Sequence, residues 1–335
     1  MSETEAHIPL FYTDLAMEAA ENLGTGGEGI PGVRMELEDC QIDGGTVKIT
    51  RVFIEDENGA KALGKPVGTY VTAESASMKQ NDIHAHEGII KVLVDLLAGL
   101  EPLKNAKSIL IVGLGNRYIT PDALGPRVVS KALVTRYFEG EPAEDLKSGK
   151  LRYVCAVAPG VLGTTGIETG EIIKGITQHV KPDVVIAVDA LAARSAARVN
   201  TTVQFTDTGL SPGSGMGTGR TALNVETLGV PVIAIGVPTV VDAATLVNDT
   251  LDLMLDDMIA ATDEGSDFYN TLKDLGDTEK YGLIKRILDP YVGAMFVTPK
   301  DVDTVIDRLS NIIANALNIA LHPGIGKEDI NRYMY

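Results

Sequence analysis

The chain of 335 residues predicts an α/β fold: a largely parallel central sheet flanked by helices, with an additional small β-containing subdomain. The first observation behind this is four short runs rich in Val and Ile, "SILIVGLG" (108–115), "LRYVCAVA" (151–158), "DVVIAVDAL" (183–191) and "VPVIAIGV" (230–237). Near-continuous apolar content means burial on both faces, as in parallel strands covered by helices. The second is residues 45–75, where "GTVKITRVFI" and "GTYVTAES" alternate in the β manner across a glycine-containing connection. The third is helical spacing at both ends of this core. In "HEGIIKVLVDLLAGLEPL" Ile89, Ile90, Leu93, Leu96, Leu97 and Leu100 share one face, with Pro102 as the stop. "TPKDVDTVIDRLSNIIANALNIAL" reads as an amphipathic helix capped near Thr298 or Asp301. The acidic segment 249–282 is expected to be helical in places and to face the surface. "TGLSPGSGMGTGR" (208–220) is too glycine-rich for helix or strand.

Composition narrows the function classes. A net charge of −17 argues against gripping nucleic-acid phosphates, which takes clustered Lys and Arg. Two cysteines, Cys40 and Cys155, make no disulfide framework and suit a reducing cytosol. "MSETEAHIPLFYTD" lacks the basic and apolar regions of a secretory signal. Every apolar run is broken well short of the roughly 18 residues a membrane span needs. A cytoplasmic protein that binds neither membrane nor nucleic acid is expected.

Several motifs invite chemistry and are weaker than they look. "GLGNRY" lacks the third glycine of a dinucleotide fingerprint, having Tyr118 there, and no helix is expected directly after Gly115. "GLSPG" (209–213) matches G-x-S-x-G, but the residue after the serine is Pro212, which has no N–H for an oxyanion. "HAHE" (His84, His86, Glu87) has metal-ligand residue types, yet reads equally as a turn and helix start with Glu87 near the positive end of the dipole. Cys155 sits mid-strand as a small core residue. His7, His179 and His322 lie on no motif.

Two acids remain. Asp122 lies in the loop after the strand 108–115, and Asp189 ends the strand "VVIAVDA". The carboxyl ends of parallel strands lie on one side of a sheet, where α/β proteins place their sites. Two carboxylates converging there can share a proton, activating water and protonating a leaving group. Alternatively, Asp189 caps a following helix "ALAARSAAR" and Asp122 caps "ALGPRVVSKALV". The residues alone leave both readings open.

The blocks "GLGNRYITPDALGPRVV", "VCAVAPGVLGTTGIETGEIIKGI", "DVVIAVDALAARS", "TGLSPGSGMGTGR" and "GVPVIAIGVPTVVDAAT" resemble the germination proteases of spore-forming bacteria. The resemblance runs over most of the chain and implies a core like that of hydrogenase maturation proteases. It implies an endopeptidase of the spore core that degrades small acid-soluble spore proteins at germination, assembled as a homotetramer. Asp122 and Asp189 match the family's catalytic acids. The hydrogenase proteases hold nickel with two such acids and a later histidine, but "VPVIAIGVPTVVDAA" has none. An aspartic-type mechanism without metal or other cofactor follows. A metallopeptidase using the same acids with His84 or His86, and a non-catalytic binding protein on the same fold, stay open.

The family is also made as a zymogen that removes its own N-terminal segment, and its substrates are cut after an acid, in a context like Thr-Glu-(Phe or Ile)-Ala. "YTDLAME" carries Thr13, Asp14, Leu15 and Ala16 in that arrangement, which implies a cut between Asp14 and Leu15. Thr13 or Asp14 also reads as an ordinary N-cap for "LAMEAAENL". The implied organisation is a pro-segment at 1–14 and a peptidase domain at 15–335, with its core at 105–245. The β and helical additions occupy 40–100 and a helical region 249–335. Ile8, Leu10, Phe11 and Tyr12 are expected to pack on apolar surface near the cleft.

Overall fold

A computed structural model describes residues 13–21, 23, 29–138, 148–211, 221–260, 282, 284, 286 and 295–326. Its strands are β1 (Val33–Ile42), β2 (Gly45–Ile54), β3 (Gly68–Glu74), β4 (Ser108–Gly113), β5 (Tyr153–Val157), β6 (Val184–Ala193), β7 (Thr202–Thr206), β8 (Val232–Asp242) and β9 (Phe296–Val297). All belong to one sheet in the order β1-β2-β3-β7-β8-β6-β4-β5, with β9 added to β8. The four Val/Ile-rich runs form the expected parallel set β5-β4-β6-β8. The remaining pairings are antiparallel, so the sheet is mixed rather than largely parallel.

The expected separate β subdomain is absent among the described residues, because β7 joins the two halves. One edge of β7 pairs with β3 and the other with β8, both antiparallel. Strand β1 was not anticipated. It is an edge strand bearing Arg34, Glu36, Glu38 and Asp39, mostly exposed, which is how sheet edges avoid pairing with other chains. It turns into β2 through Asp43 and Gly44, the latter at φ 86.

Alternation along β4 shows how the two faces are filled. Ile109 and Ile111 join the larger cluster, with the packed helices Ile83–Ala98 and Val302–Leu321. Leu110 and Val112 join a smaller one with Ile173, on the helix Thr169–Val180, and Leu223. A third cluster gathers Leu15, Ala16, Met17 and Ala20 against Val52, Ile54, Leu63 and Tyr70. Three local expectations are corrected. Pro102 is no stop: the long helix ends at Ala98, and Pro102 lies in the first turn of a short helix Glu101–Lys104, where its missing N–H costs nothing. Asp301 is the N-cap residue of the last helix but makes no side-chain cap bond, and Thr298 bonds the Thr239 carbonyl instead at 2.9 Å. The acidic segment is helical as far as Ala260, and 261–281 lies outside the described residues.

His322, just past the last helix, is fully buried. The Arg152 backbone N–H donates to its Nδ1 at 3.2 Å, and its Nε2 lies 3.3 Å from the Leu133 carbonyl, a pattern that suits the neutral ring. Burial pushes its pKa down to about 4, against the Leu133 hydrogen bond and with help from the Arg152 charge. Between the unfolded value near 6.5 and that folded value, the unfolded chain takes up a proton that the folded chain refuses. Stability from this site is therefore present above pH ~6.5 and is lost progressively towards pH ~4, by about 2–3 kcal/mol. Urea unfolding of wild type and His322→Gln at pH 7 and pH 4.5 should show the variant losing less stability on acidification.

Candidate active site

Sequence places glycine where the loop after β4 must fold tightly. Leu114 extends the line of β4, its N–H donating to the Val188 carbonyl at 2.8 Å. Gly115 follows at φ +106, and a Cβ there would stand 2.0 Å from the backbone oxygen of Asp122. The close approach lets the Asn116 N–H donate to the Asp122 carboxylate at 2.8 Å. Thr239 of β8 donates to the Pro121 carbonyl at 2.7 Å and ties this turn to the sheet. Asp122 ends a 3-10 turn, Thr120–Asp122, while the N-cap of the next helix, Leu124–Ser130, is Ala123 with no side-chain cap bond. Asp122 thus braces its own loop rather than capping that helix.

Asp189 does not end its strand. β6 runs on to Ala193, and the next helical residues are a 3-10 turn at Ala196–Arg198 with Ser195 at its N-cap, so the "ALAARSAAR" helix that Asp189 would have capped does not form. Pairing with β8 holds the extended form, Asp189 opposite Gly236 and Ala193 opposite Val241. The Asp189 residue is 8% exposed, and its carboxylate accepts the N–H of Ala190 at 2.9 Å. The two acids and Asp14 line one cavity of about 740 Å³ at the carboxyl ends of the parallel strands. Tyr70, also on its wall, has its hydroxyl pKa pushed up to about 12 by burial and remains a neutral phenol.

The segment Thr13–Glu21 is built into this wall. Asp14 donates its N–H to the Ala192 carbonyl at 3.1 Å and accepts the Ala192 N–H on its carboxylate at 2.9 Å. Its carbonyl accepts from Lys65 Nζ at 3.0 Å and Gln204 Nε2 at 3.2 Å. Lys65 is only partly buried as a residue, but its ammonium is enclosed. Burial lowers its pKa, and the Asp14 and Glu18 charges act to raise it. Thr13, through its hydroxyl, accepts the Leu15 N–H at 3.0 Å and donates to Glu18; the helix starts only at Ala16, so this bond orders the turn ahead of it and is not the expected N-cap. From Leu15 onward the segment is core: Leu15, Ala16 and Ala20 are fully buried. The helix Ala16–Glu21 is pinned by Glu18, whose carboxylate accepts the N–H groups of Arg194 at 2.7 Å and Ser195 at 3.0 Å, with Arg198 at 3.3 Å. Arg198 also holds Glu21 and Glu74. Ile8, Leu10, Phe11 and Tyr12 lie outside the described residues.

The histidine and cysteine candidates fall elsewhere. His84 and His86 occupy the first turn of the helix Ile83–Ala98, capped by Asp82, and neither lines the cavity. Among the described residues no three His, Cys, Asp or Glu gather as a metal-binding group. Cys155 packs from β5 against the smaller cluster. Gly209, Leu210 and Ser211 of "GLSPG" do line the cavity, Leu210 bridging Leu223, while Pro212 and Gly213 lie outside the described residues. No described helix is long and apolar enough to cross a membrane. Lys65, Gln204 and Glu18 escaped the sequence reading. Glu18 alone carried a signal, as an acid within an otherwise apolar helix stripe.

A family model described as germination protease, peptidase A25, matches residues 13–274 and 256–334. The chain belongs to the germination protease family. A germination protease of Clostridium tetani is 49% identical over 323 residues, covering 96% of this chain and 98% of that relative. The germination protease of Bacillus subtilis is 41% identical over 366 residues, covering 99% of each. Among solved structures, a [NiFe] hydrogenase maturation protease, HycI from Thermococcus kodakarensis, aligns at TM-score 0.32 and 19% identity, covering 68% of this chain and 98% of its own. Membership of the germination protease family makes the chain a peptidase of spore germination.

The packing of Gly115 against Asp122 gives a direct check on this loop. Gly115→Ala should destabilise the protein by at least about 2 kcal/mol, since alanine is strained at positive φ and its methyl meets backbone. Urea denaturation measures it, and wild-type stability in the variant would contradict the loop geometry.

Proposed function

We propose that the chain is an endopeptidase of the spore core that begins the degradation of small acid-soluble spore proteins. It is made as a zymogen that cuts its own Asp14–Leu15 bond, and Asp122 and Asp189 are the acids that perform the hydrolysis. The observation that carries this reading is the shared cavity: Asp122, Asp189 and Asp14 all line it. Membership of the germination protease family supports the substrate class, the homotetrameric assembly and the division into a pro-segment, 1–14, and a peptidase domain, 15–335.

The chemistry follows from two carboxyl groups of unequal protonation. In this reading one member holds a proton and the other is ionised, as like charges brought to close range resist joint ionisation. The ionised carboxylate takes a proton from water as the water oxygen adds to the peptide carbonyl carbon. The protonated member then gives its proton to the departing nitrogen as the C–N bond breaks. The deprotonated and protonated members have exchanged roles at the end. This route uses no metal, and His84 and His86 are off the cavity, so activity should survive dialysis against a strong chelator.

Asp122→Asn and Asp189→Asn should each abolish cleavage of a small acid-soluble spore protein while leaving unfolding within about 1 kcal/mol of wild type. Asparagine keeps the shape of aspartate and cannot act as a base. Near-full activity in either variant removes that acid from the mechanism. Mass spectrometry of the matured form should find Leu15 as its first residue, and Asp122→Asn should remain unprocessed when pure.

A further inference from the structure

The resting chain already holds the peptide bond that the proposed function has it cut, and the grip has a defined chemistry. Gln204 spans that bond: its Nε2 donates to the Asp14 carbonyl at 3.2 Å, and its Oε1 accepts the Ala16 N–H at 2.8 Å. A side-chain amide thus does what the backbone of a neighbouring strand would do, on either side of Asp14–Leu15. Lys65 adds a cationic donor to the same carbonyl oxygen at 3.0 Å. That oxygen therefore carries two donors, from the loop before β3 and from β7.

The register of the sheet relates this grip to the acids. Gln204 of β7 pairs with Gly236 of β8, and Gly236 pairs with Asp189 of β6. Residues in one cross-strand row rise from the same face, so the Gln204 amide and the Asp189 carboxylate stand over one surface, about 10 Å apart at the backbone. The residue between them is glycine, and a Cβ there would collide with Leu191. Asp14, Lys65, Gln204, Gly236 and Asp189 all belong to the wall of one cavity, Asp122 included.

We infer that Lys65 and Gln204 form the donor pair that grips the carbonyl oxygen of the residue before the cut bond, in self-processing and again when a substrate strand takes the place of Thr13 and Asp14. The inference rests on the reading that Asp14–Leu15 is the bond cut. As water adds to the carbonyl carbon, its proton passes to the ionised acid and the carbonyl π pair moves onto oxygen. The Lys65 ammonium and the Gln204 N–H receive that charge. On collapse the C=O re-forms, the C–N bond breaks, and the Leu15 nitrogen takes the proton held by the other acid. Donors fixed before charge develops need no reorganisation when it does, and removing one such donor elsewhere slows catalysis by about 10²–10³.

The test uses the full chain with Lys65→Met, which keeps the stem and removes the donor, and Gln204→Glu, which keeps the acceptor for Ala16 and removes the donor to Asp14. Each variant is made as zymogen and also matured in trans with a trace of wild-type enzyme. The matured forms are assayed on a synthetic copy of residues 8–20, "IPLFYTDLAMEAA". Self-processing and kcat on the peptide should both fall by at least about tenfold, with KM changed less than about threefold. Lys65→Arg, which restores a charged donor, should recover at least about a third of the wild-type kcat. Normal kcat in matured Lys65→Met or Gln204→Glu would overturn the inference, because donors that merely dock the pro-segment matter only before it leaves. Faster self-processing would overturn it too, marking the pair as a restraint. A folded Lys65→Arg enzyme as slow as Lys65→Met would count equally against it. Failure of the underlying reading shows separately, as a matured N-terminus other than Leu15 or as activity in Asp122→Asn.

Discussion

The parallel pairing of β6 with β8, sustained from Val185 to Ala193, determines where every group around the cavity sits. It carries extended backbone four residues past Asp189, so that the acid projects from a sheet face instead of ending a strand. The same extension presents the Ala192 N–H and carbonyl to Asp14, and brings the N–H groups of Arg194 and Ser195 to Glu18. Shortening the pairing by one turn of helix would separate all three. The bulge between Leu191 and Ala192 is the one irregularity in it, and it falls between the acid and the docked segment, where bulges commonly re-aim side chains.

Glu18 shows how the docked segment is made permanent. Its residue is 1% exposed, and a carboxylate so placed is tolerable only with donors on every side. Two backbone N–H groups, a hydroxyl and a guanidinium supply them. Removing the carboxylate would leave those donors without their acceptor, so helix Ala16–Glu21 and the end of β6 behave as one unit. Arg198 widens the unit to β3 through Glu74.

What was legible in the sequence follows from how local each signal is. The four parallel strands announce themselves through Val and Ile, and the acids at their ends stand out against apolar runs. The continuation of β6 did not, because "ALAARSAAR" is made of strong helix formers and only pairing with β8 overrides them. β1 escaped because an edge strand facing water carries the charges of a loop. Lys65 and Gln204 were invisible for another reason. They lie in unremarkable local contexts, and positions 14, 65 and 204 become neighbours only through the antiparallel half of the sheet. That half appeared in the sequence as alternating strands, with nothing to say which strand they would pair with.

The burial of Leu15 beside an Asp14 held by hydrogen bonds to Ala192, Lys65 and Gln204 has a consequence in mass action. While the bond between them is intact, Thr13 and Asp14 are tethered ligands with an effective concentration on the order of millimolar or above, and no free strand competes with them on equal terms. Under the proposed cut, the same residues would belong to a short peptide that diffuses away and must return at its own bulk concentration. Leu15 and the helix behind it stay where they are, held by the core. Occupancy of the groove then depends on dilution, and an abundant substrate strand wins it without any change in the groove itself.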